Sequence, residues 1–309
     1  MFISICILTF NRCEILEKLL ESLSLISYSS IEIIVVDNCS QDNTENIVLE
    51  KFCNIIYHKT ENNIGVAARN IALSMAKGDV IITIDDDIFG INDTTLVNIS
   101  NYFSNDKTIG ALNFKVLDAF TGDICNWIHH KKEENFHDKE FLTYEITEGA
   151  VAFNRKALTL SGYYPAYFFL SHEGPDLALR IMDSGFDVRY SPLVEVLHSH
   201  AQAGRKSWFR YYYDTRNQFL LAMRNFPVFY SIRFILKGAM STFIYSLRDG
   251  FLWYWLKGVF DGLCAMIKYS SDRSVLSCKT MSLVYEIDRQ RPSLLYMLKK
   301  RIFRKEMRL

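Results

Sequence analysis

The chain has 309 residues, of which 49% are hydrophobic and 23% are charged, and its net charge is zero. This is the composition of an ordinary globular protein and excludes a disordered or collagen-like chain. The seven cysteines include no CxxC pair, which argues against a disulfide framework or a zinc-thiolate site. We predict no transmembrane helix, because the sequence has no uncharged apolar run of eighteen residues.

Strand and helix signals alternate along the first hundred residues. Apolar β-branched runs predict the strands, and apolar residues three and four apart predict the helices between them. Asp42 with Glu45 resembles a capping box for the second helix, and Gly65 precedes the third. The predicted strands are 2–8, 31–36, 54–58 and 79–84, and the predicted helices are 13–25, 42–52 and 66–76. This order implies the α/β class, with a mostly parallel, doubly wound sheet and helices on both faces.

The pattern becomes mixed after residue 105. A helix is predicted at 176–183, closed by Gly185, and the strands predicted here are 109–116, 142–153, 188–190 and 194–197. From Trp208 onward the period is helical, and aromatic and basic residues are frequent. We therefore place a domain boundary near residue 204.

Polar side chains follow four of the predicted strands at the point where each ends. Each group alone is compatible with a turn or a helix cap. Because the carboxyl ends of parallel strands meet at one edge, where open α/β sheets bind ligands, we expect all four groups to share a site. The residues concerned are Thr9, Asn11, Arg12, Asp37, Asn38, Asn63, Gly65, Arg69, Asp85, Asp86 and Asp87.

The three consecutive carboxylates at 85–87 are the most informative of these residues. Clustered carboxylates resist joint ionisation unless a cation neutralises them, and a hard divalent ion that holds phosphate is the natural partner. A strand-end aspartate such as Asp37 can accept a hydrogen bond from a base such as uracil, and an arginine at a helix start can hold a diphosphate. The alternative for the acidic run is a turn, which aspartate also favours.

The order of these motifs resembles that of the family 2 glycosyltransferases, which have the GT-A fold, and especially their bacterial rhamnosyltransferase-type branch. The resemblance covers roughly residues 1–204. The matching motifs are Thr9-Phe10-Asn11-Arg12, Val35-Val36-Asp37-Asn38, Asn63-Ile64-Gly65-Val66-Ala67 with Arg69, Asp85-Asp86-Asp87, Glu148-Gly149-Ala150, Glu173-Gly174-Pro175-Asp176 and His198-Ser199-His200.

The resemblance implies inverting transfer of a sugar from a UDP- or dTDP-sugar to a glycan or lipid-linked acceptor, in bacterial cell-surface polysaccharide synthesis. It implies that Asp37 reads the base, that Asp85 contacts ribose or metal, and that Asp87 binds Mn²⁺ or Mg²⁺. His198 would complete the metal site or contact the diphosphate, although the residues alone favour a solvent-facing strand end. Gly149 would lie near the donor sugar or the acceptor, and the other strand-end residues would bind the nucleotide sugar.

One departure from the family concerns the catalytic base. Relatives often carry Glu-Asp-x-Asp at residues 173–176, so the aspartate frequently assigned as the base is Gly174 here. A carboxylate must still take the proton of the acceptor hydroxyl, and Glu173 is our first choice, with Asp176 second. The alternatives are a helical ion pair between Asp176 and Arg180 and a helix-start charge at Glu173.

The resemblance divides the chain into a GT-A catalytic domain and a helical C-terminal region. The catalytic domain is 1–204, with a nucleotide-sugar half at about 1–105 and an acceptor half at about 106–204, and the helical region is 205–309. This last region holds 20 Lys and Arg against 7 Asp and Glu, whereas the first 204 residues hold 15 and 28. Basic aromatic helices can lie in a membrane interface, so we expect peripheral membrane contact, at the inner face of the cell membrane of a cytoplasmic protein. A solvated basic face and nucleic-acid binding are the alternatives, and we predict no nucleic-acid partner.

Two other functional classes stay open. A sugar nucleotidyltransferase would be expected to carry a glycine-rich phosphate loop after the first strand, but Thr9-Phe10-Asn11-Arg12 has no glycine. A non-catalytic nucleotide-sugar-binding protein is conceivable because of Gly174. Turnover rather than binding separates this last class from a transferase.

Overall fold

A nine-stranded sheet organises the fold in the computed structural model, which describes residues 1–199 and 208–293 together with Tyr296. The strands are β1 Ile3–Thr9, β2 Ile31–Asp37, β3 Ile56–Lys59, β4 Val80–Asp85, β5 Ile88–Phe89, β6 Ile109–Asp118, β7 Phe141–Leu142, β8 Ala150–Asn154 and β9 Asp187–His198. Their spatial order is β3-β2-β1-β4-β8-β6-β9-β5, and β7 pairs with β9 beside this path. Strands β1 to β4, β6 and β9 run in one direction, and β5, β7 and β8 oppose them. The predicted mostly parallel α/β sheet is confirmed.

Helices cover both faces of this sheet because side chains alternate along its strands. Ile5 and Ile7 of β1 pack in the cluster that holds Leu16 and Leu20, whereas Cys6 lies in the cluster on the opposite face. The helices are α1 Cys13–Ser24, α2 Thr44–Lys51, α3 Ala67–Met75, α4 Asp93–Asn105, α5 Glu133–Phe136, α6 Arg155–Ser161, α7 Glu173–Asp183, α8 Phe209–Asn225, α9 Val228–Arg248, α10 Leu252–Lys268 and α11 Cys278–Arg289.

The predicted elements of the first 85 residues form within two residues at each end. The predicted capping box does not form, because Glu45 pairs with Lys59 at 2.9 Å instead of reaching back to the helix start. Asp42 accepts from the backbone N–H of Cys13 at 2.9 Å and from the hydroxyl of Thr44 at 2.6 Å. This carboxylate therefore ties the start of α1 to the start of α2.

Two strand predictions in the second half were wrong. Residues 142–153 form β7 and β8 with a loop between them, because Asn113 holds that loop through the carbonyl of Glu145 and the N–H of Thr147. Residues 187–198 form one strand, β9. Pro192 lies in a bulge of this strand, between Ser191, which pairs with Phe114 of β6, and Glu195, which pairs with Lys115. Strand β5 and helices α4, α5 and α6 are absent from the sequence prediction.

Helix α8 packs into the same apolar cluster as α3 and α7, through buried residues such as Leu220, Leu221 and Met223. The predicted domain boundary near 204, like His200, lies outside the described residues, and the division into domains stays a prediction. None of the helices in the described ranges combines the length and the apolar character that crossing a bilayer requires.

Candidate active site

Strand register brings the predicted polar groups to one edge of the sheet. In the parallel pairs, Thr9 of β1 stands opposite Asp37 of β2, and Leu8 stands opposite Asp85 of β4. The antiparallel β8 begins beside the end of β4, with Ala150 opposite Ile84. The edge therefore collects the ends of β1, β2 and β4 together with the loop that precedes β8.

Asp86 and Asp87 are buried and share one arginine. Nη1 of Arg12 lies 2.9 Å from Oδ1 of Asp86 and 2.8 Å from Oδ2 of Asp87. The hydroxyl of Thr9 donates to Asp86 at 2.8 Å. Burial raises the pKa of Asp86 to about 6, against the lowering by Arg12 and Thr9. Asp86 thus holds Arg12 in place, and the carboxylate of Asp87 lies on the same guanidinium group.

Asp87 and His198 form the best candidate for a metal site. Strand β5 pairs antiparallel with β9 so that Ile88 stands opposite His198, and Nε2 of this histidine lies 3.3 Å from Oδ1 of Asp87. That oxygen is buried and has no hydrogen-bond partner among the described residues. Nδ1 of His198 contacts Nδ2 of Asn126 at 2.9 Å, which orients the ring.

Two ligands of this kind suit a divalent ion that also binds diphosphate and water. No cluster of three His, Cys, Asp or Glu side chains with metal-binding geometry occurs within the described ranges. Asp85, predicted as a third ligand, pairs with Arg69, and its part in metal binding stays a prediction. A metal at this edge would therefore depend on the donor for its remaining ligands.

The Asp85–Arg69 pair lies beside Gly149. Arg69 is buried, and its Nη1 atom has no hydrogen-bond partner in the part of the chain that the structure describes. A Cβ atom at Gly149 would overlap the carboxylate of Asp85, and the carbonyl of Gly149 accepts from the N–H of Asp85 at 3.2 Å. Glycine at 149 therefore lets the loop before β8 lie directly against this ion pair.

Asp37 is fully buried at the end of β2. Its Oδ1 accepts from the N–H of Ser40 at 2.7 Å, and its Oδ2 accepts from the hydroxyl of Tyr57 at 2.7 Å. Burial and the carboxylate of Asp37 raise the pKa of Tyr57, so the phenol stays a donor at neutral pH. These bonds fix the carboxylate in orientation, as a base-reading group requires.

The predicted asparagines shape the loops around this edge. Asn38 accepts from the N–H of Ile64 at 2.9 Å and donates to the side chain of Asn63 at 3.0 Å. Asn11 has a φ of 53° and accepts from the N–H of Gln41 at 2.7 Å. The side chains of Asn11, Asn38 and Asn63 all accept hydrogen bonds from backbone N–H groups of these loops. Direct contact with a nucleotide sugar stays a prediction for each.

Helix α7 begins at Glu173, three residues earlier than predicted, and Glu173 is buried at its first position. Asp176 is fully buried, and both of its carboxylate oxygens accept hydrogen bonds. Its Oδ2 accepts from Nε of Arg180 at 2.9 Å. Its Oδ1 accepts from Nε of Arg224 at 2.9 Å and from Nδ2 of Asn225 at 2.8 Å. The helical ion pair considered from the sequence is therefore present. A carboxylate enclosed in this way is poorly placed to take a proton from an acceptor.

The segment that leads into α7 carries unusual backbone. Phe169, Ser171 and His172 have φ values of 62°, 74° and 66°, and the carbonyl of Phe169 accepts from the N–H of Val66 at 2.8 Å. Gly65, at a φ of 62°, lies so close that a Cβ atom would overlap the same carbonyl. This contact ties the start of α3, which carries Arg69, to the segment ahead of Glu173.

Buried Asn217 of α8 holds this strained segment by donating to the carbonyls of Phe168, Leu170 and Ser171 at 2.8, 2.6 and 2.8 Å. We expect Asn217→Ala to lower the free energy of unfolding by about 1–3 kcal/mol, because the carbonyls of Leu170 and Ser171 lose their side-chain donor. Urea denaturation measures this loss. The exposed helical substitution Asn101→Ala should change stability by less than about 0.5 kcal/mol, and equal effects of the two would contradict this role for Asn217.

Several residues of the edge carried no signal in the sequence. Tyr57, Asn126 and Asn217 reach this edge through partners far away along the chain, and none lies in a motif. Tyr164 is likewise buried behind Arg69, with a hydroxyl that has no hydrogen-bond partner among the described residues. Its position follows from packing that no local pattern encodes.

Comparison with known proteins identifies the family of this architecture. The model of glycosyl transferase family 2 matches residues 4–158. An uncharacterized protein of Haemophilus influenzae is 30% identical over 175 residues, which cover 53% of this chain and 92% of that protein. The O-antigen chain rhamnosyltransferase WbaN of Salmonella anatum is 26% identical over 198 residues, which cover 60% of this chain and 61% of WbaN.

Solved structures share the fold at low sequence identity. Staphylococcus aureus TarS 1–349 in complex with UDP-GlcNAc superposes with a TM-score of 0.63 at 18% identity, over 86% of this chain and 82% of that one. The mannosyltransferase PcManGT from Pyrobaculum calidifontis, in complex with GDP-Man and Mn²⁺, gives a TM-score of 0.55 at 18% identity, over 98% and 88%. These likenesses establish the GT-A fold.

Proposed function

Since this chain belongs to glycosyl transferase family 2 and has the GT-A fold, we propose that it moves a sugar with inversion from a UDP- or dTDP-sugar to a glycan or lipid-linked acceptor. The observation that supports this most is the convergence of Asp37, the Arg69–Asp85 pair and the Asp87–His198 pair on one sheet edge. The relative WbaN, an O-antigen chain rhamnosyltransferase, supports a place in bacterial cell-surface polysaccharide synthesis.

The donor would lie along this edge with its base at Asp37 and its diphosphate toward Arg12 and Asp87. Asp87 and His198 would hold Mn²⁺ or Mg²⁺, which would neutralise the charge of the departing nucleoside diphosphate. The neighbour PcManGT, solved with GDP-Man and Mn²⁺, supports a divalent ion. Nη1 of Arg69 is buried and has no hydrogen-bond partner among the described residues, so this guanidinium group would direct its charge at the donor.

The acceptor hydroxyl must lose its proton as its oxygen attacks the anomeric carbon. The sequence made Glu173 the first choice for the base. The buried bonds of Asp176 to Arg180 and Arg224 favour a structural role for that side chain.

Reaction products distinguish this function from its two alternatives. We expect purified protein with Mn²⁺ to release nucleoside diphosphate from one member of a panel of nucleotide sugars, slowly with water and faster with lipid-linked acceptors, and EDTA to abolish the release. Pyrophosphate-dependent formation of nucleoside triphosphate would identify a sugar nucleotidyltransferase. Donor binding by calorimetry with no product under any condition would identify a binding protein.

A second surface supports the predicted membrane contact. Helices α9 and α10 expose large apolar side chains at a spacing of three or four residues: Phe229, Ile232, Leu236, Met240, Ile244 and Leu247, then Trp253, Leu256, Phe260, Leu263 and Ile267. The exposed charged side chains of these two helices are Arg233, Lys237, Arg248, Lys257 and Lys268. Asp261 accepts instead from Tyr212 at 2.7 Å, and Asp249, which follows α9, binds Tyr211 and Arg248.

An apolar stripe edged only by cations matches an anionic lipid interface, so we propose that this face rests on the inner surface of the cell membrane. We expect cosedimentation with vesicles that contain phosphatidylglycerol, and a loss of affinity of about tenfold for each of Phe229→Asp and Phe260→Asp. Leu49→Asp, at an exposed site of α2, is the matched control. Absent vesicle binding, or concentration-dependent dimerisation through the same residues, would contradict the membrane as occupant.

A further inference from the structure

Glu148 lies between the Asp85–Arg69 pair and the start of α7. It directly precedes Gly149, which faces the carboxylate of Asp85. Its own carboxylate lies against Gly174, where any Cβ atom would overlap Oε1 of Glu148. The carbonyl of Glu148 accepts from the hydroxyl of Thr83 on β4 at 2.8 Å, which ties this loop to the sheet. Gly174 thus leaves room for the carboxylate of Glu148, and Gly149 leaves room for that of Asp85, beside the donor edge.

The carboxylate of Glu148 also lies near the buried phenol of Tyr164. Burial raises the pKa of Tyr164 well above its ordinary value, and Glu148 raises it further, ahead of Glu173. Arg69 lies within electrostatic range of both Tyr164 and Glu148. The carboxylate of Glu148 therefore belongs to the charged group around Arg69, next to the proposed donor site.

Accessibility separates Glu148 from the other carboxylates of this region. Asp176 is 0% exposed and closed by two arginines, and Glu173 is 4% exposed at the start of α7. Glu148 is partly exposed at the same edge. An acceptor hydroxyl that arrives from solvent reaches a partly exposed carboxylate without rearrangement of the helix.

Building on the proposed function, we propose that Glu148, rather than Glu173, is the catalytic base. The acceptor oxygen forms the new bond to the anomeric carbon, and its proton passes to a carboxylate oxygen of Glu148. The bond from the anomeric carbon to the diphosphate oxygen breaks, and its electron pair leaves with the nucleoside diphosphate. Glu173, which is 4% exposed at the start of α7, then takes no part in this proton transfer.

The test compares Glu148→Gln, Glu173→Gln and the exposed control Glu50→Gln in the release of nucleoside diphosphate from the nucleotide sugar that the wild type turns over. We expect Glu148→Gln to lower kcat about 100-fold or more and to remove the acidic limb of its pH profile, with donor affinity by calorimetry within about threefold of wild type. Glu173→Gln should keep that limb and a rate within about tenfold of wild type. In Glu148→Ala, formate should restore part of the rate, because Gly174 leaves room for a small carboxylate.

Three outcomes would overturn this assignment. Release by Glu148→Gln at the wild-type rate would exclude Glu148 as the base. Loss of the acidic limb in Glu173→Gln, with formate rescue of Glu173→Ala but not of Glu148→Ala, would return the role to Glu173. Absence of release from any donor by the wild type would overturn the proposed function itself, and the assignment with it.

Discussion

Replacing Asp87 by asparagine should lower metal-dependent release of nucleoside diphosphate by about 100- to 1000-fold. The buried Oδ1 atom of Asp87, 3.3 Å from Nε2 of His198, is the oxygen best placed to bind a divalent ion. Asparagine keeps the shape of the side chain but loses the negative charge that attracts the cation. The protein should still fold, because Asp86 continues to pair with Arg12 at 2.9 Å.

Steady-state kinetics at increasing Mn²⁺ concentration would measure this effect. We expect Asp87→Asn to need far more Mn²⁺ for half-maximal rate, whereas Asp123→Asn, at an exposed site in the loop after β6, should behave as the wild type. Wild-type metal dependence in Asp87→Asn would remove Asp87 from the metal site.

Replacing Asp176 by alanine should lower the free energy of unfolding by about 3–5 kcal/mol. Asp176 is fully buried, and it is the carboxylate that Arg180 and Arg224 share. Without it, two largely buried cations face each other and Asn225 loses an acceptor. A loss of this size is a large fraction of the stability of an ordinary domain.

Urea denaturation monitored by circular dichroism would measure the effect. Asp272→Ala is the matched control, since Asp272 also pairs with Arg224, at 3.4 Å, but is partly exposed. We expect this control to cost less than about 1 kcal/mol. Near wild-type stability of Asp176→Ala, combined with lost turnover, would make Asp176 catalytic and contradict its structural role.

The fold was predictable where local pattern and topology agree. Strands β1 to β4 and the helices between them have strong periodic signals, and parallel pairing follows from their alternation. The loop between β7 and β8 escaped prediction because its backbone bonds to the side chain of Asn113, 32 to 34 residues earlier in the chain. The continuity of β9 was missed because Pro192 interrupts the pattern but occupies a bulge.

The candidate site was predictable as a set of residues but not as a set of contacts. Strand ends identified Asp37, Asp85 and Asp87, because strand order alone brings them to one edge. That Asp85 would pair with Arg69 depends on how α3 packs, which no motif encodes. The same holds for Glu148, whose position against Gly174 joins two distant segments.

The proposed function requires that this sheet edge bind a metal ion together with a nucleoside diphosphate. Anomalous diffraction at the manganese edge, from crystals grown with Mn²⁺ and UDP or dTDP, tests it most directly. We predict a single strong peak bonded to Asp87 and His198 and to the diphosphate, with the base against Asp37. A manganese peak elsewhere, or a nucleotide bound away from Asp37, would exclude this edge as the donor site.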